Sequence, residues 1–384
     1  MKDISLKFKK RFFFLIGESY LYLFYLLLYI NVLIIKKSKT KNIDIAFFPY
    51  SSPSSIGSFL RIKQYEPLFK ANNIKYKVFY CITDEEEKVF ESLSFLQQYI
   101  LFSKILVRRI KAIKIAKTAR VAFVQRSMFP FYINQKRPLM EKILKKQGCY
   151  VVIDFWDSVW EKNKYLTDNS AKIANLITVS NSFLMRYFAE INNNIQMFNI
   201  AVDNARYVKK KDYSISGAIK LAYIGYPSNV NRFIEMFRPI AIKLKEMVDF
   251  KLVIISNGKY DVSYCKTEYY PFDYSDFSNI LSSCDIGLYL VEKNDISEGK
   301  SAMKVMDYLA CGLPVVASPW GVNGFEHTTH LLLSNSDEEF LDNILMLAND
   351  IELRTKLGTN AQQIISEQFS LEKSIKIYEN ICAV

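Results

Sequence analysis

Lys304 and Asp307, a cation and a carboxylate one helical turn apart, are the residues of this chain best spaced to do chemistry. They sit in Lys300–Ser318, KSAMKVMDYLACGLPVVAS, where Met303, Met306, Leu309 and Ala310 recur at helical spacing and leave both off the apolar face. Gly312 follows, where a helix needs a residue that tolerates a left-handed cap. Leu313–Ala317 is then a short apolar run of the kind that forms a buried parallel strand. Above the strand ends of an α/β sheet, such a pair suits a nucleotide: Lys304 reaches a diphosphate and Asp307 accepts from ribose hydroxyls. The plain alternative is an amphipathic helix leading into a sheet edge, with no ligand.

The elements that must position this pair are legible along the chain. Apolar runs over 43–48, 75–80, 119–124, 150–154 and 173–179 alternate with helical patterns, which predicts a doubly wound α/β unit. Charge and small residues interrupt the pattern at Lys209–Asp212, a linker. A second series of strands follows at 220–225, 250–255, 269–270, 285–290 and 314–318, with two or three helices over 337–384. A chain of 384 residues exceeds what one core usually serves. The expected organisation is therefore an extension over 1–41, a first domain over 42–208 and a second over 209–384.

The signature stretch resembles the donor site of GT-B-fold glycosyltransferases, in particular family 4-like (group 1) enzymes of the bacterial surface-polysaccharide type. YIG at 223–225, CDIGLYLVEKND at 284–295, GVNGFEHTTHLLL at 321–333 and FSLEK at 369–373 extend the likeness over the second half. VAFVQR at 121–126, Glu141, VVIDFWDSVW at 151–160 and ITVSNSFL at 177–184 extend it more loosely over the first. The resemblance implies two Rossmann-like domains facing a cleft, with a terminal helix crossing back to the first. It implies hexosyl transfer from a UDP- or GDP-linked sugar to a lipid-linked or surface-glycan acceptor, retaining in outcome. The nucleotide sugar is then a substrate; no cofactor and no metal are expected, and no D-x-D motif stands out.

By the same resemblance Lys304 faces the diphosphate, Gly225 lets the backbone approach it, Asp307 holds the ribose, and Arg232 is a second phosphate contact. Family 4 enzymes usually carry a glutamate at the place of Gly299; Glu298 stands beside it and takes the acidic role in this expectation. The family's histidine in the first domain has no counterpart here, since the chain holds only His327 and His330. Asp154 and Asp157, in a loop at a strand end, are the catalytic candidates there. A nucleotide-sugar 2-epimerase and a non-catalytic scaffold of the same fold are the alternatives.

The net charge of +12 is concentrated. Residues 1–41 hold nine Lys/Arg against Asp3 and Glu18, and residues 101–120 hold seven with no acid, so the remainder is near neutral. Phe12–Ile35 carries one charge in 24 residues and, as a helix of about 36 Å, is long enough for a bilayer core of about 30 Å. In 101–120, Leu106, Ile110 and Ile113 fall on one helical face and Lys104, Arg108 and Lys111 on another, which suits anionic headgroups. Nucleic acid is the weaker partner for these patches, for want of any motif that would read it. Together these suit a peripheral or single-anchor place on the inner membrane, and the nucleotide sugar that the resemblance implies puts it on the cytoplasmic face, where such donors are made. The six cysteines are scattered without zinc or redox spacing, as in a reducing compartment.

Overall fold

The computed structural model describes residues 40–129, 136–273, 275–301 and 303–384, with 15, 16, 19, 22–28, 30 and 38. Within them lie two six-stranded parallel sheets. The first holds β1 (Ile43–Phe48), β2 (Tyr76–Val78), β3 (Ala119–Gln125), β4 (Tyr150–Phe155), β5 (Leu176–Val179) and β6 (Ile195–Met197) in the order 2-1-3-4-5-6. The second holds β7 (Ile219–Ile224), β8 (Phe250–Ile255), β9 (Lys266–Tyr270), β10 (Ile286–Tyr289), β11 (Val315–Ala317) and β12 (Leu332–Leu333) in the order 12-11-10-7-8-9. This is the GT-B architecture. Each sheet reverses its strand order once, between β1 and β3 and between β7 and β10, and open α/β sheets bind ligands outside such points.

The central strands are apolar because helices cover both faces, whereas the edge strand β9 (KTEYY) is largely exposed. In β7, Leu221 and Tyr223 enter one core cluster while Ala222 and Ile224 enter another. In β1, Ile45 and Phe47 likewise part from Ala46 and Phe48. Three helices, Asp337–Asn349, Ile351–Gln368 and Leu371–Cys382, form the tail. The last returns to the first domain, where Tyr378 is fully buried and donates to the Arg61 carbonyl.

Residues 101–116 of the basic segment 101–120 lie in the helix Phe95–Ala116, whose Leu101, Phe102, Ile105, Leu106 and Ile113 are buried in the first domain's core. Burying five such side chains contributes on the order of 10 kcal/mol, against about 1 kcal/mol for each lysine near an anionic surface. The apolar face therefore stays in the core. Arg109 is buried too, donating to the carbonyls of Pro49 (2.6 Å), Phe79 (2.6 Å) and Met128 (2.7 Å). Arg108 is paired with Glu86. The helix exposes Lys104, Lys111 and Lys114, with Lys117 at its C-cap, together with Leu96, Ile100, Val107 and Ile115.

The hydrophobic helix expected over 12–35 lies largely outside the described residues. Of it, 22–28 are helical; Leu28 is buried against the first domain, while Tyr22, Leu23, Leu26 and Leu27 are exposed. Among the described residues no helix is long and apolar enough to cross a membrane.

Candidate active site

The two switch points open into one cavity of about 750 Å³ between the domains. On the second domain's side, its floor is the helix Met303–Cys311, capped by Gly312 in the left-handed conformation (φ +74°). Tyr308 fixes this helix to the sheet: its hydroxyl accepts from the Ile224 N–H (3.0 Å) and donates to the Leu288 carbonyl (3.2 Å). Gly287 makes that possible, since a Cβ there would lie 2.8 Å from the Tyr308 ring.

One turn before Tyr308, Lys304 runs along the end of β7. Its Nζ donates to the Tyr223 hydroxyl at 2.7 Å and lies 4.4 Å from that ring's centroid. A Cβ on Gly225 would stand 3.0 Å from the same Nζ, so glycine makes room for the lysine. Burial pushes the Lys304 ammonium down to about 7, reinforced by Lys300 and opposed by Asp307. Burial also pushes the Asp307 carboxyl up to about 7, against a hydrogen bond from Tyr207 (2.6 Å) and the charges of Arg206 and Lys304. Two groups that desolvation holds near neutrality line an open cavity, an arrangement that marks functional sites.

Arg232 lines the cavity from the exposed side of helix Pro227–Lys245. Asp157 lines it from the first domain, paired with Arg126; burial raises its carboxyl, opposed by Arg126 and then Lys300. Lys304, Asp307, Gly225, Arg232 and Asp157 are thus brought together. Asp154 is not. It is fully buried, 3.0 Å from the Arg61 Nε, and accepts from Thr178 at 2.8 Å. Arg61 spends its other donors on the carbonyls of Phe198 (2.7 Å) and Asn199 (2.9 Å), so this pair holds the interior rather than facing a substrate.

Glu298 ends the helix Asp295–Glu298 and does not line the cavity. The chain around it is seamed to the first domain instead. Ser158 donates to the Asp295 carbonyl (2.7 Å), Asn181 to that of Lys300 (3.1 Å), and Ser301 to that of Trp156 (3.0 Å). A Cβ on Gly299 would fall 1.6 Å from the Ser158 Oγ, which is why no glutamate can stand there in this arrangement. His327 and His330 also stay out of the cavity; each Nδ1 accepts a backbone N–H, from Leu333 and Glu326.

Among the cavity residues that escaped the sequence reading are Lys300, Arg126 and Tyr207. Lys300 opens the signature stretch, and its half-buried ammonium is lowered by burial. Arg126 ends the run VAFVQR and holds a left-handed backbone (φ +60°). Tyr207 lies in the interdomain connection and carries no local signal.

Residues 235–380 match the family described as glycosyl transferase-like. Over 195 residues the chain is 28% identical to an uncharacterized glycosyltransferase of Methanocaldococcus jannaschii, covering 45% of this chain and 47% of that one. The chain thus spans about half the length of this curated relative. Among solved structures it is similar to Anabaena HepE in complex with UDP-glucose (TM-score 0.63, 13% identity, 88% of this chain and 99% of that one). It is likewise similar to sucrose-phosphate synthase from Thermosynechococcus elongatus (TM-score 0.61, 11% identity, 88% and 98%). At these identities the structures establish the fold. The family match falls within the second domain.

Proposed function

We propose that the protein transfers a sugar from a nucleotide diphosphate donor, UDP-linked in the first instance, to a hydroxyl of a glycan. The observation that carries this is Lys304, held against Gly225 at the β7 switch point with Asp307 one turn on. In transfer the bond between the anomeric carbon and the diphosphate oxygen breaks, and its electron pair leaves with the diphosphate. The acceptor oxygen forms the new bond, and its proton passes to the diphosphate or to water. The transition state is oxocarbenium-like, with charge building on the leaving group. Lys304 answers that charge, Lys300 and Arg232 supplement it, and Asp307 fixes the ribose so that the sugar is presented to the first domain. UDP-glucose in the complex of Anabaena HepE supports the choice of donor class.

Peripheral attachment to a membrane belongs to the same proposal. It is supported by the exposed face of Tyr22, Leu23, Leu26 and Leu27 and by the lysine row of helix Phe95–Ala116. Incubation with UDP- and GDP-linked sugars, following release of the free nucleotide, tests the function. Release from a UDP-sugar, lost in Lys304→Met, supports it. Conversion of the sugar to its epimer, or turnover that survives loss of Lys304, refutes it.

A further inference from the structure

We propose that the first domain holds the headgroup of an anionic phospholipid between residues 22–28 and the helix Leu139–Lys146; this deepens the membrane attachment proposed above and rests on it. A cavity of about 440 Å³ lies there and shares no lining residue with the donor cleft. The spacing of Leu139, Lys142, Ile143 and Lys146 puts all four on one helical face, and all four line the cavity. Leu28, 5% exposed, and Tyr25 line it from the N-terminal segment, and Arg137 and Pro138 from the chain before the helix.

Charge selects the ligand's head. Residues 136–146, KRPLMEKILKK, hold five Lys/Arg against Glu141 alone. Glu141 does not offset them: it is fully buried, accepts from the Met128 N–H (2.8 Å), and burial raises its carboxyl. Lys145 donates elsewhere, to the Ile173 carbonyl (2.7 Å). Lys142 and Lys146 are exposed, and among the described residues neither is in an ion pair. The described lining thus holds three cations, Arg137, Lys142 and Lys146, and no carboxylate, which suits a phosphate. Leu28, Leu139 and Ile143 in the same lining would go unused by an inorganic anion or a nucleic-acid backbone, and suit an acyl chain. The surroundings point to a bilayer as the source. Tyr22, Leu23, Leu26 and Leu27 are exposed beside the cavity. Helix Phe95–Ala116 packs into the same core cluster as Leu28 and Ile143, and it exposes Leu96, Ile100, Val107 and Ile115 among its lysines. One side of the first sheet therefore mixes apolar side chains with cations, the composition of a surface lying in an anionic headgroup layer.

The test is native mass spectrometry of the full chain in detergent, with phosphatidylglycerol or phosphatidylcholine of equal chain length added. The variant is Lys142→Glu with Lys146→Glu. Lys104→Glu with Lys111→Glu, on the exposed face of helix Phe95–Ala116, is a control of equal charge change. Wild type and control are expected to retain one phosphatidylglycerol at least tenfold over phosphatidylcholine, and the variant to lose at least fivefold of that preference. All four lysines are exposed, and UDP binding within about twofold of wild type shows that both proteins are folded. Equal retention of the two lipids by wild type overturns the inference, as does a preference that the variant keeps or that the control loses equally. Inorganic phosphate or a single-stranded oligonucleotide bound as tightly as the lipid overturns it too. Wild-type protein that ignores anionic vesicles at low salt overturns the attachment reading, and this inference with it; vesicle binding without the lipid preference overturns this inference alone.

Discussion

If the donor contacts both Lys304 and Asp307, the proton balance of its binding should reverse sign between pH 6 and pH 8. In the empty cleft the Lys304 ammonium and the Asp307 carboxyl both sit at about 7. A diphosphate beside Lys304 favours its charged form, and ribose hydroxyls donating to Asp307 favour the carboxylate. At pH 8 Lys304 is then mostly neutral and Asp307 mostly ionised, so donor binding should take up protons, at the lysine and up to about one. At pH 6 the proportions invert, and binding should release protons, at the aspartate and again up to about one. UDP-glucose is the right probe, because its diphosphate has no proton of its own to lose in this range. Calorimetric titration in buffers of different ionisation enthalpy reads the number directly. Lys304→Met should abolish the uptake at pH 8 and spare the release at pH 6; Asp307→Asn should do the reverse. A proton number of the same sign at both pH values, or none at either, would show that the two groups do not face the donor.

Asp154→Asn should cost about 3–5 kcal/mol in chemical denaturation, because it leaves Arg61 buried with its charge unanswered, while UDP affinity of the folded fraction stays within twofold. A tenfold loss of affinity without loss of stability would return Asp154 to the cleft. Gly225→Ala should fold normally, since its Cβ meets the flexible end of Lys304 and otherwise only an ordinary contact with the Tyr223 ring at 3.4 Å, yet weaken UDP-glucose binding about tenfold (about 1.4 kcal/mol), as titration would show. Lys304→Met should raise the melting temperature of the donor-free protein by a few degrees. The gain should be larger at pH 6 than at pH 9, because the folded-state value near 7 lies below the unfolded one and the penalty on the charged form is complete below pH 7. Equal gains at both pH values would count against a buried ammonium. Protein lacking residues 1–41 should sediment with anionic vesicles only at low salt, through the lysine row, whereas the full chain should stay bound at high salt. Full detachment of the intact chain at high salt would remove the apolar contact.

Much of the donor side was legible because its signals are local. The alternation of strand and helix, the left-handed Gly312 and the one-turn spacing of Lys304 and Asp307 all follow from short-range chemistry, and the structure brings that pair to Gly225. The first domain was harder to read for a physical reason. Asp154 and Asp157 look alike in DFWD, and what separates them is Arg61, 93 residues away. The basic helix shows the same limit. Its periodicity was readable, but an amphipathic pattern does not say whether a core or a bilayer covers the apolar face. The two- and three-residue strands β12 and β6 are too short to leave a period, and Tyr207 owes its place at Asp307 to the path of the interdomain connection.

The position of bound UDP tests the central claim most directly. A crystal structure of the complex should place a diphosphate oxygen within hydrogen-bond reach of the Lys304 Nζ, with ribose hydroxyls on Asp307 and the Tyr223–Lys304 contact broken or shared. Nucleotide bound anywhere other than the β7/β10 switch point, or in that cavity without touching either residue, would contradict it.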